Sequence, residues 1–265
     1  MVNAYQELQT RIRRGVQRLM GDTARSRIPR HDLLHRISEL DSSAYLFGGV
    51  VRDILLISPT HEFRDIDIVV KGKSLCELED IFGLEVVRRN RFGGLQLEAK
   101  GWHFDVWPLE ETLAFKERPE FPKDPETLPR TTFLSIEAVV VRLNKRPGRA
   151  REIFESRFFE SILHKTIELN YEDTPFVSLN VLRAILTCRS LKFAMGPRLI
   201  DFICGHLRDL NVDELVKLQT LRYGGVKMNE SQMSSCLENL RRWRTWHPGR
   251  PMRAEESTQV LFNLG

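Results

Sequence analysis

The sequence predicts an α+β protein, in which a mixed sheet with flanking helices is followed by an all-helical region. Before about residue 150, short runs that alternate apolar and polar residues are separated by stretches with helical period. Beyond that point only helical period is found, and no convincing strand remains. We therefore expect N-terminal helices in residues 1–40, a sheet-containing head in residues 41–150 and a helical domain in residues 151–265.

The composition sets the broad class of the protein. The chain has 265 residues, 42% of them hydrophobic, which is enough to bury a core, and its net charge of +4 is compatible with a polyanionic partner. The four cysteines lack the short spacing of zinc or redox motifs, so we expect reduced thiols. The sequence shows no signal-peptide pattern and no window of about 20 apolar residues, which predicts a cytoplasmic protein without a membrane span.

The first half of the head is predicted as alternating helices and strands. Leu, Ile and Val recur at three- and four-residue steps in the N-terminal helices, and glycine or proline ends most later elements. In chain order we predict helices at 5–20 and 31–40, a strand at 44–47 that ends at Gly48-Gly49, a helix at 50–56, a strand at 66–70 and a helix at 74–83.

The second half of the head supplies the remaining strands. Residues 94–99 and 102–109 alternate as half-buried strands do, and the apolar runs 84–89 and 133–143 are also expected to be extended. Between them, the Pro-rich stretch 116–130 is predicted to be a long loop, which makes it a candidate functional or mobile segment. A turn over 144–152 precedes helices predicted at 158–169, 178–195, 197–210, 211–223 and 231–246.

Three aspartates interrupt apolar strands of the head. Asp65 and Asp67 are two residues apart, so they share one face of the strand, with their Cα atoms about 6.5–7 Å apart. Ile66 and Ile68 then point into the core. Asp105 lies in another strand between apolar neighbours. Like charges held together are unfavourable unless a cation offsets them, and oxygen ligands favour Mg²⁺ or Mn²⁺. Two such ions about 3.5–4 Å apart activate an attacking hydroxyl and stabilise a leaving pyrophosphate.

A glycine pair lies between the first strand and the following helix. Backbone N–H groups and the helix dipole at such a point can receive a phosphate, and Arg52 one turn later can bind a triphosphate. Each feature has a plainer interpretation, since aspartates at strand starts are often caps and glycine turns are common. The ordered set of GGxVRD, DxD and an apolar-flanked aspartate is more specific than any one of them.

These segments resemble the nucleotidyltransferase superfamily with a DNA polymerase β-type palm, and within it the bacterial class of CCA-adding enzymes and poly(A) polymerases. The resemblance rests on LFGGVVRD, RDIDIVV and GWHFDVW, which match the family's glycine signature, its DxD strand and the strand of its third acidic residue. A later segment, LNVLRAILTCRSLKFAMG, is similar to the family's neck helix. Together these segments cover about residues 40–200 and imply a palm followed by a helical neck.

The resemblance implies a role for each matching residue. Asp65 and Asp67 would ligate the catalytic metals and Asp105 would complete the site, with Mg²⁺ or Mn²⁺ as cofactor. The nucleotide-binding residues would be Gly48, Gly49, Arg52 and Arg183, and Asp53 would brace the loop. The implied reaction moves a nucleoside monophosphate from an NTP, such as ATP, to an acceptor hydroxyl. An RNA or tRNA 3′ end is one candidate acceptor, and a small molecule or a protein side chain is the alternative, since the same palm serves both.

The sequence also departs from the family pattern. The RRD motif that contacts the ribose is replaced by PRTTFLSIEA, in which Arg130 is one candidate substitute. The base-reading EDxxR motif is replaced by FVSLN at 176–180, although Arg183 stands at the second arginine of that helix. The chain is also short for the family, because most of the body and tail that hold tRNA is missing. We therefore expect a diverged nucleotidyltransferase with a different acceptor.

Two arginine-rich segments are candidate nucleic-acid contacts. Near the C-terminus arginines alternate with tryptophan, a pattern that suits phosphates and stacked bases of a single strand: Arg241, Arg242, Trp243 and Arg244. The N-terminal helices have a similar excess of arginine: Arg11, Arg13, Arg14, Arg18, Arg25 and Arg27. In both segments a solvated helix face is the alternative interpretation.

Two further functions are compatible with the same residues. Loss of the ribose and base readers would fit a catalytically silent module that binds a nucleotide or RNA. A toxin- or defence-type nucleotidyltransferase that modifies tRNA or a protein would use the same chemistry in another role. The acidic trio favours catalysis over the silent module, since clustered carboxylates are costly without a cation.

Overall fold

The structure is a computed structural model, which describes residues 2–21, 29–41, 43–57, 65–90, 93–99, 101–144, 146–253 and 256. Of the predicted arginine contacts, Arg25 and Arg27 lie outside these residues. The chain divides into two compact units, the first formed by Met1–Thr132 with Ile136–Phe159 and the second by Phe133–Ser135 with Glu160–Gly265. The chain finally passes from the first unit to the second within α6 (Phe158–His164).

A seven-stranded mixed sheet forms the first unit, which confirms the predicted fold class. The strand order is β3-β4-β5-β2-β1-β6-β7, and every neighbouring pair is antiparallel except β2 with β5. The strands are β1 (Ser43–Phe47), β2 (Asp65–Lys71), β3 (Val86–Arg89), β4 (Leu95–Ala99), β5 (Trp102–Pro108), β6 (Val139–Arg142) and β7 (Ile153–Glu155).

Helices flank this sheet. They are α1 (Val2–Met20), α2 (Pro29–Ser38), α3 (Gly49–Leu56), α4 (Leu75–Phe82) and α5 (Leu113–Glu117). On one sheet face Ile66 and Ile68 of β2 are fully buried, as their alternation with the aspartates predicts. On the other face Tyr45 and Val69 pack with Phe115 in a smaller apolar cluster. Both faces of the central strands are therefore covered by apolar groups, apart from the end of β2 that carries the aspartates.

Residues 116–130, the Pro-rich stretch predicted to be a loop, help to cover that second face of the sheet. Its first residues belong to α5, and it ends in a short 3₁₀ turn, Leu128–Thr131. Phe121 and Leu128 pack against the apolar cluster of the sheet. The burial of these apolar side chains gives the segment a fixed place, although it contains little regular structure.

The second unit contains helices and two short strands. Besides the end of α6 it comprises α7 (Val177–Leu191), α8 (Pro197–Gly205), α9 (Val212–Tyr223) and α10 (Glu230–Trp246), with β8 (Thr166–Ile167) parallel to β9 (Ala194–Met195). No helix of the described residues is both long enough and apolar enough to span a bilayer.

The prediction that no strand follows residue 150 is wrong. β7 pairs with β6 at the sheet edge, and β8 pairs with β9. The two short strands arise because α6 and α7 stop early: Lys165 has φ 49° and Lys192 has φ 55°. A left-handed residue ends a helix, and the chain leaves each helix in an extended conformation. The run 133–143 is extended only at β6, because Ser135–Glu137 form a 3₁₀ turn.

Candidate functional site

The three aspartates lie on one face of the sheet in the first unit. The parallel pairing of β2 and β5 sets Asp67 opposite Asp105 and Asp65 opposite His103. Residues directly opposite on neighbouring strands point to the same face, and the strands lie about 4.8 Å apart. The register therefore brings Asp65, Asp67 and Asp105 together, which is the arrangement that their sequence pattern predicts.

The local sequence explains why these carboxylates reach water. In β2 the buried positions alternate with Asp65, which is exposed, and Asp67, which is half-buried. In β5 Phe104 and Val106 are fully buried, and Asp105 between them is half-buried on the other face. Each strand thus anchors its apolar side in the core and presents carboxylates at the opposite surface.

The surroundings of Asp105 raise its pKa, and burial is the largest cause. Burial raises the pKa of Asp105, the hydrogen bond from Asn90 lowers it, and the negative charge of Asp65 raises it again. The positive charges of Arg88 and His103 act in the opposite direction, yet the net change is upward. A divalent cation between the carboxylates would remove the repulsion and favour their charged forms.

The donor set fits Mg²⁺ or Mn²⁺ in its chemistry, since all three side chains offer carboxylate oxygens on one face. Within the part of the chain that the structure describes, however, no group of three or more His, Cys, Asp or Glu side chains stands close enough to hold a metal ion. The backbone register brings the three aspartates to one face, and their side chains would have to turn toward an ion for it to bind.

Asn90 is a neighbour of the carboxylates that the sequence does not single out. Its Nδ2 donates a long hydrogen bond of 3.5 Å to Asp105 Oδ1, and its Oδ1 accepts from the Gly94 N–H at 3.0 Å. The residue therefore links the turn between β3 and β4 to the acidic face. The only sequence signal is its place directly before a glycine-containing turn.

The glycine pair lies at the same end of the sheet as the aspartates. β1 is antiparallel to β2, with Leu46 opposite Ile68, so β1 runs toward the aspartates and ends at Phe47. Gly48 follows with φ 71° and ψ −127°, a backbone conformation that residues other than glycine rarely adopt. Its N–H donates to Val139 O at 3.0 Å.

The hydrogen bonds of Gly48 determine which N–H groups at the start of α3 could bind a phosphate. The Gly48 N–H is used within the protein, and Gly48 O accepts from the N–H groups of Val51 and Arg52. The first-turn N–H groups that a helix leaves without an intrahelical acceptor are then those of Gly49 and Val50. A phosphate at this point would be bound by Gly49 and Val50 rather than by both glycines.

Arg52 is held by two carboxylates. Its Nε donates to Asp53 at 2.7 Å and its Nη1 donates to Glu137 at 3.2 Å. Burial lowers the pKa of Arg52, but the hydrogen bond to Asp53 and the charge of Glu137 outweigh it, so the pKa is raised. The remaining nitrogen, Nη2, lies 3.5 Å from the place where a Cβ would stand on Gly49. The guanidinium is thus fixed with its third nitrogen at the glycine turn.

Glu137 is the second residue that sequence reasoning missed. It is only 4% exposed, although it is charged and lies just before the apolar strand β6. An acidic residue inside the run IEAVVV was the available signal, because a buried carboxylate needs a partner. The partner, Arg52, is 85 residues away in the sequence, so only the fold identifies it.

The remaining predicted residues belong to the second unit. Arg183 lies exposed on α7. On α10 Arg241 and Arg242 both pair with Glu238, at 2.9 Å and 3.0 Å. Their contact with nucleic acid stays a prediction.

The other two residues of that set also have partners in the second unit. Arg244 pairs with Asp201 at 2.8 Å. The Trp243 Nε1–H donates to Arg250 O at 3.1 Å, and its ring lies 4.3 Å from that of His247. A nucleic acid that bound here would compete with these contacts.

The fold is that of CCA-adding and tRNA-processing enzymes, which confirms the predicted resemblance at the level of the fold. A solved tRNA-processing enzyme in an apo form matches with a TM-score of 0.53 and 22% identity, over 80% of this chain and 58% of that one. A tRNA-processing enzyme complex matches with a TM-score of 0.52 and 20% identity, over 80% of this chain and 63% of that one. A CCA-adding enzyme with CTP matches with a TM-score of 0.50 and 19% identity, over 89% and 63%.

The chain therefore spans about three fifths of the length of these solved structures. No family model matches the sequence, and no curated protein matches it.

Proposed function

We propose that this protein is a nucleotidyltransferase that moves a nucleoside monophosphate from an NTP to the hydroxyl of an RNA 3′ end, with release of pyrophosphate. The observation that carries the proposal is the register of β2 and β5, which sets Asp67 opposite Asp105 with Asp65 on the same face. The glycine turn at that end of the sheet supports it, because it offers a place for the phosphates.

The comparisons support the choice of substrates. One of the solved structures is described as a CCA-adding enzyme with CTP, and two are described as tRNA-processing enzymes. At 19–22% identity they share the fold with this chain. The NTP and the RNA acceptor are our proposal, drawn from that fold and from the acidic face together.

The reaction is a displacement at the α-phosphorus of the NTP. The acceptor hydroxyl oxygen bonds to this phosphorus, and the bond from the phosphorus to the bridging oxygen breaks, so that pyrophosphate leaves with that oxygen and its electron pair. Asp105, on the strand opposite Asp67, is our candidate to accept the hydroxyl proton. Mg²⁺ or Mn²⁺ held by Asp65, Asp67 and Asp105 would neutralise the phosphate charge.

The glycine turn and Arg52 position the leaving group. In our proposal the N–H groups of Gly49 and Val50 and the Nη2 of Arg52 meet the phosphates, while Asp53 and Glu137 keep the guanidinium in place. Positioning and charge stabilisation of this kind provide most of the rate in phosphoryl transfer. That Arg183 contacts the nucleotide stays a prediction.

The experiment that tests the function offers each of the four NTPs, radiolabelled at the α-phosphate, with total tRNA and Mg²⁺ or Mn²⁺. The proposal expects label on the RNA and an equal amount of pyrophosphate. If no NTP labels RNA although a nucleotide binds measurably, the silent binding module is the better account. Pyrophosphate release without label on RNA would point to another acceptor, such as a protein hydroxyl.

A further inference from the structure

The N-terminal helix α1 carries a row of arginines. Its buried side consists of Leu8, Ile12, Val16, Leu19 and Met20, each at most 6% exposed. Arg14 and Arg18 are exposed and four residues apart, so they share one solvent-facing side of the helix, with the exposed Arg11 at its flank.

The turn between β6 and β7 brings further positive charge next to this helix. Arg13 Nε of α1 donates to Arg151 O at 3.1 Å, and Arg151 Nη2 donates to Gln17 Oε1 at 3.4 Å. Arg151 also donates to Leu143 O at the end of β6, which ties the turn to the sheet. The same turn exposes Arg146 and Arg149. Arg151 therefore holds this turn against α1, and we infer that the exposed arginines of helix and turn contribute to one positively charged surface.

Few acidic groups offset this charge. Glu7 lies one helical turn before Arg11, and Glu152 pairs with Arg146 at 2.7 Å and with Arg142. Among the described residues, no carboxylate forms an ion pair with Arg14, Arg18 or Arg149. Exposed arginines without acidic partners create a local positive potential that attracts polyanions.

We propose that this basic surface, defined as Arg14, Arg18, Arg146 and Arg149, binds the phosphate backbone of RNA. The choice of RNA rests on the proposed function, and the surface itself rests on the geometry. Guanidinium groups suit phosphate oxygens because they donate paired hydrogen bonds, and binding gains free energy from the release of condensed counterions. The surface gives the protein a contact with the acceptor that is distinct from its carboxylates.

A membrane is the other polyanionic partner, and the packing of α1 argues against it. Membrane-surface helices insert their apolar face between lipids. Here that face is buried against the protein, with Gly15 so close to Ile54 that a Cβ on Gly15 would lie 2.1 Å from Ile54 Cγ2. Arg11 Nη2 also donates to Leu55 O at the end of α3, at 2.9 Å. In the folded protein only the charged side of α1 is therefore accessible to a partner.

The test measures binding of fluorescently labelled tRNA by anisotropy, with the full chain, without NTP, over a series of KCl concentrations. The variant is Arg14→Gln with Arg18→Gln, and the matched control is Arg222→Gln with Lys227→Gln, two exposed cations whose loss changes the net charge equally. We expect about tenfold weaker binding for the first pair and a salt slope lower by about 1.5, because two phosphate contacts are lost. The control pair should change affinity less than twofold.

Several outcomes would overturn the inference. Equal loss in both pairs would mean that only net charge matters, and unchanged affinity in the first pair would remove the surface from RNA binding. Binding to vesicles of 30% phosphatidylserine, with no binding to tRNA, would assign the surface to a membrane. The binding assay contains no NTP and does not depend on transfer. If the unaltered protein binds tRNA through this surface but transfers no label, the proposed function fails and this inference stands.

Discussion

Asp67 on β2 lies directly opposite Asp105 on the parallel strand β5, although 38 residues separate them in the chain. The two carboxylates face the same side of the sheet. Burial raises the pKa of Asp105, and the negative charge of Asp65 raises it further. The acidic face therefore combines partial burial with like charge. Its energetic consequences differ from those of an ordinary surface aspartate, and several can be measured.

Removing one charge of this face should not weaken the fold. We expect Asp67→Asn to keep or slightly raise the melting temperature in metal-free buffer, because the substitution relieves repulsion between like charges. Thermal unfolding in EDTA measures the effect, with Asp80→Asn on the exposed side of α4 as control. A loss of several degrees in Asp67→Asn alone would show that Asp67 is structural.

The buried pair of Arg52 and Glu137 should contribute strongly to stability. Their side chains are 17% and 6% exposed, so Glu137→Ala leaves a buried guanidinium with one partner fewer. We expect a loss of about 3 kcal/mol in the free energy of unfolding. Urea denaturation measures this loss. The control is Glu85→Ala, which removes the ion-pair partner of Arg36. This pair is more exposed than Arg52 and Glu137, so the loss should cost less than about 1 kcal/mol.

Arg52 itself should matter for the nucleotide. Arg52→Ala is expected to raise the KM for NTP more than it lowers kcat, because in our proposal Arg52 contacts a phosphate and not the reacting atoms. Steady-state kinetics of pyrophosphate release separate the two parameters. A fall in kcat with unchanged KM would place Arg52 in transition-state stabilisation, contrary to our proposal.

The close packing of α1 on α3 predicts an unusual glycine effect. Alanine normally stabilises a helix over glycine by about 1 kcal/mol, but a Cβ on Gly15 would lie 2.1 Å from Ile54 Cγ2. We therefore expect Gly15→Ala to destabilise the protein by about 1–3 kcal/mol in urea unfolding. At Gly205 in α8 a Cβ would meet nothing within 4 Å, so Gly205→Ala should cost little or nothing. A gain of stability in both variants would contradict the packing.

The cysteines should differ in reactivity. Burial raises the pKa of Cys236 to about 11 and that of Cys188 further, whereas Cys76 is exposed. Since the thiolate is the reactive form, we expect Cys76 to react first with a thiol reagent at pH 8, and Cys188 and Cys236 only after unfolding. Mass spectrometry of the labelled peptides reports the order, and Cys76→Ser should remove the fast phase.

The sequence predicts which side chains of each strand face the core, but it does not predict which strands pair with each other. Alternation along β2 and β5 predicts that Asp65, Asp67 and Asp105 leave the core, because the period of two is local. Parallel and antiparallel strands can show the same alternation, so the register of Asp67 with Asp105 needs the fold. The pairing of Arg52 with Glu137 is missed for the same reason.

The short strands were missed for another reason. β8 and β9 each have two residues, and they exist because Lys165 and Lys192 adopt a left-handed conformation. Lysine at such a position carries no sequence signal, since this conformation is typical of glycine and asparagine. The helical period therefore continues in the sequence beyond the point where each helix ends.

The most direct test of the central claim is transfer of label from α-labelled NTP to RNA in Mg²⁺, compared between the unaltered protein and two single variants, Asp67→Asn and Asp105→Asn. We predict that each variant loses at least about 100-fold in rate while binding tRNA normally, and that the control Asp80→Asn is unaffected. Transfer at the full rate by either variant would contradict the assignment of this acidic face as the catalytic site.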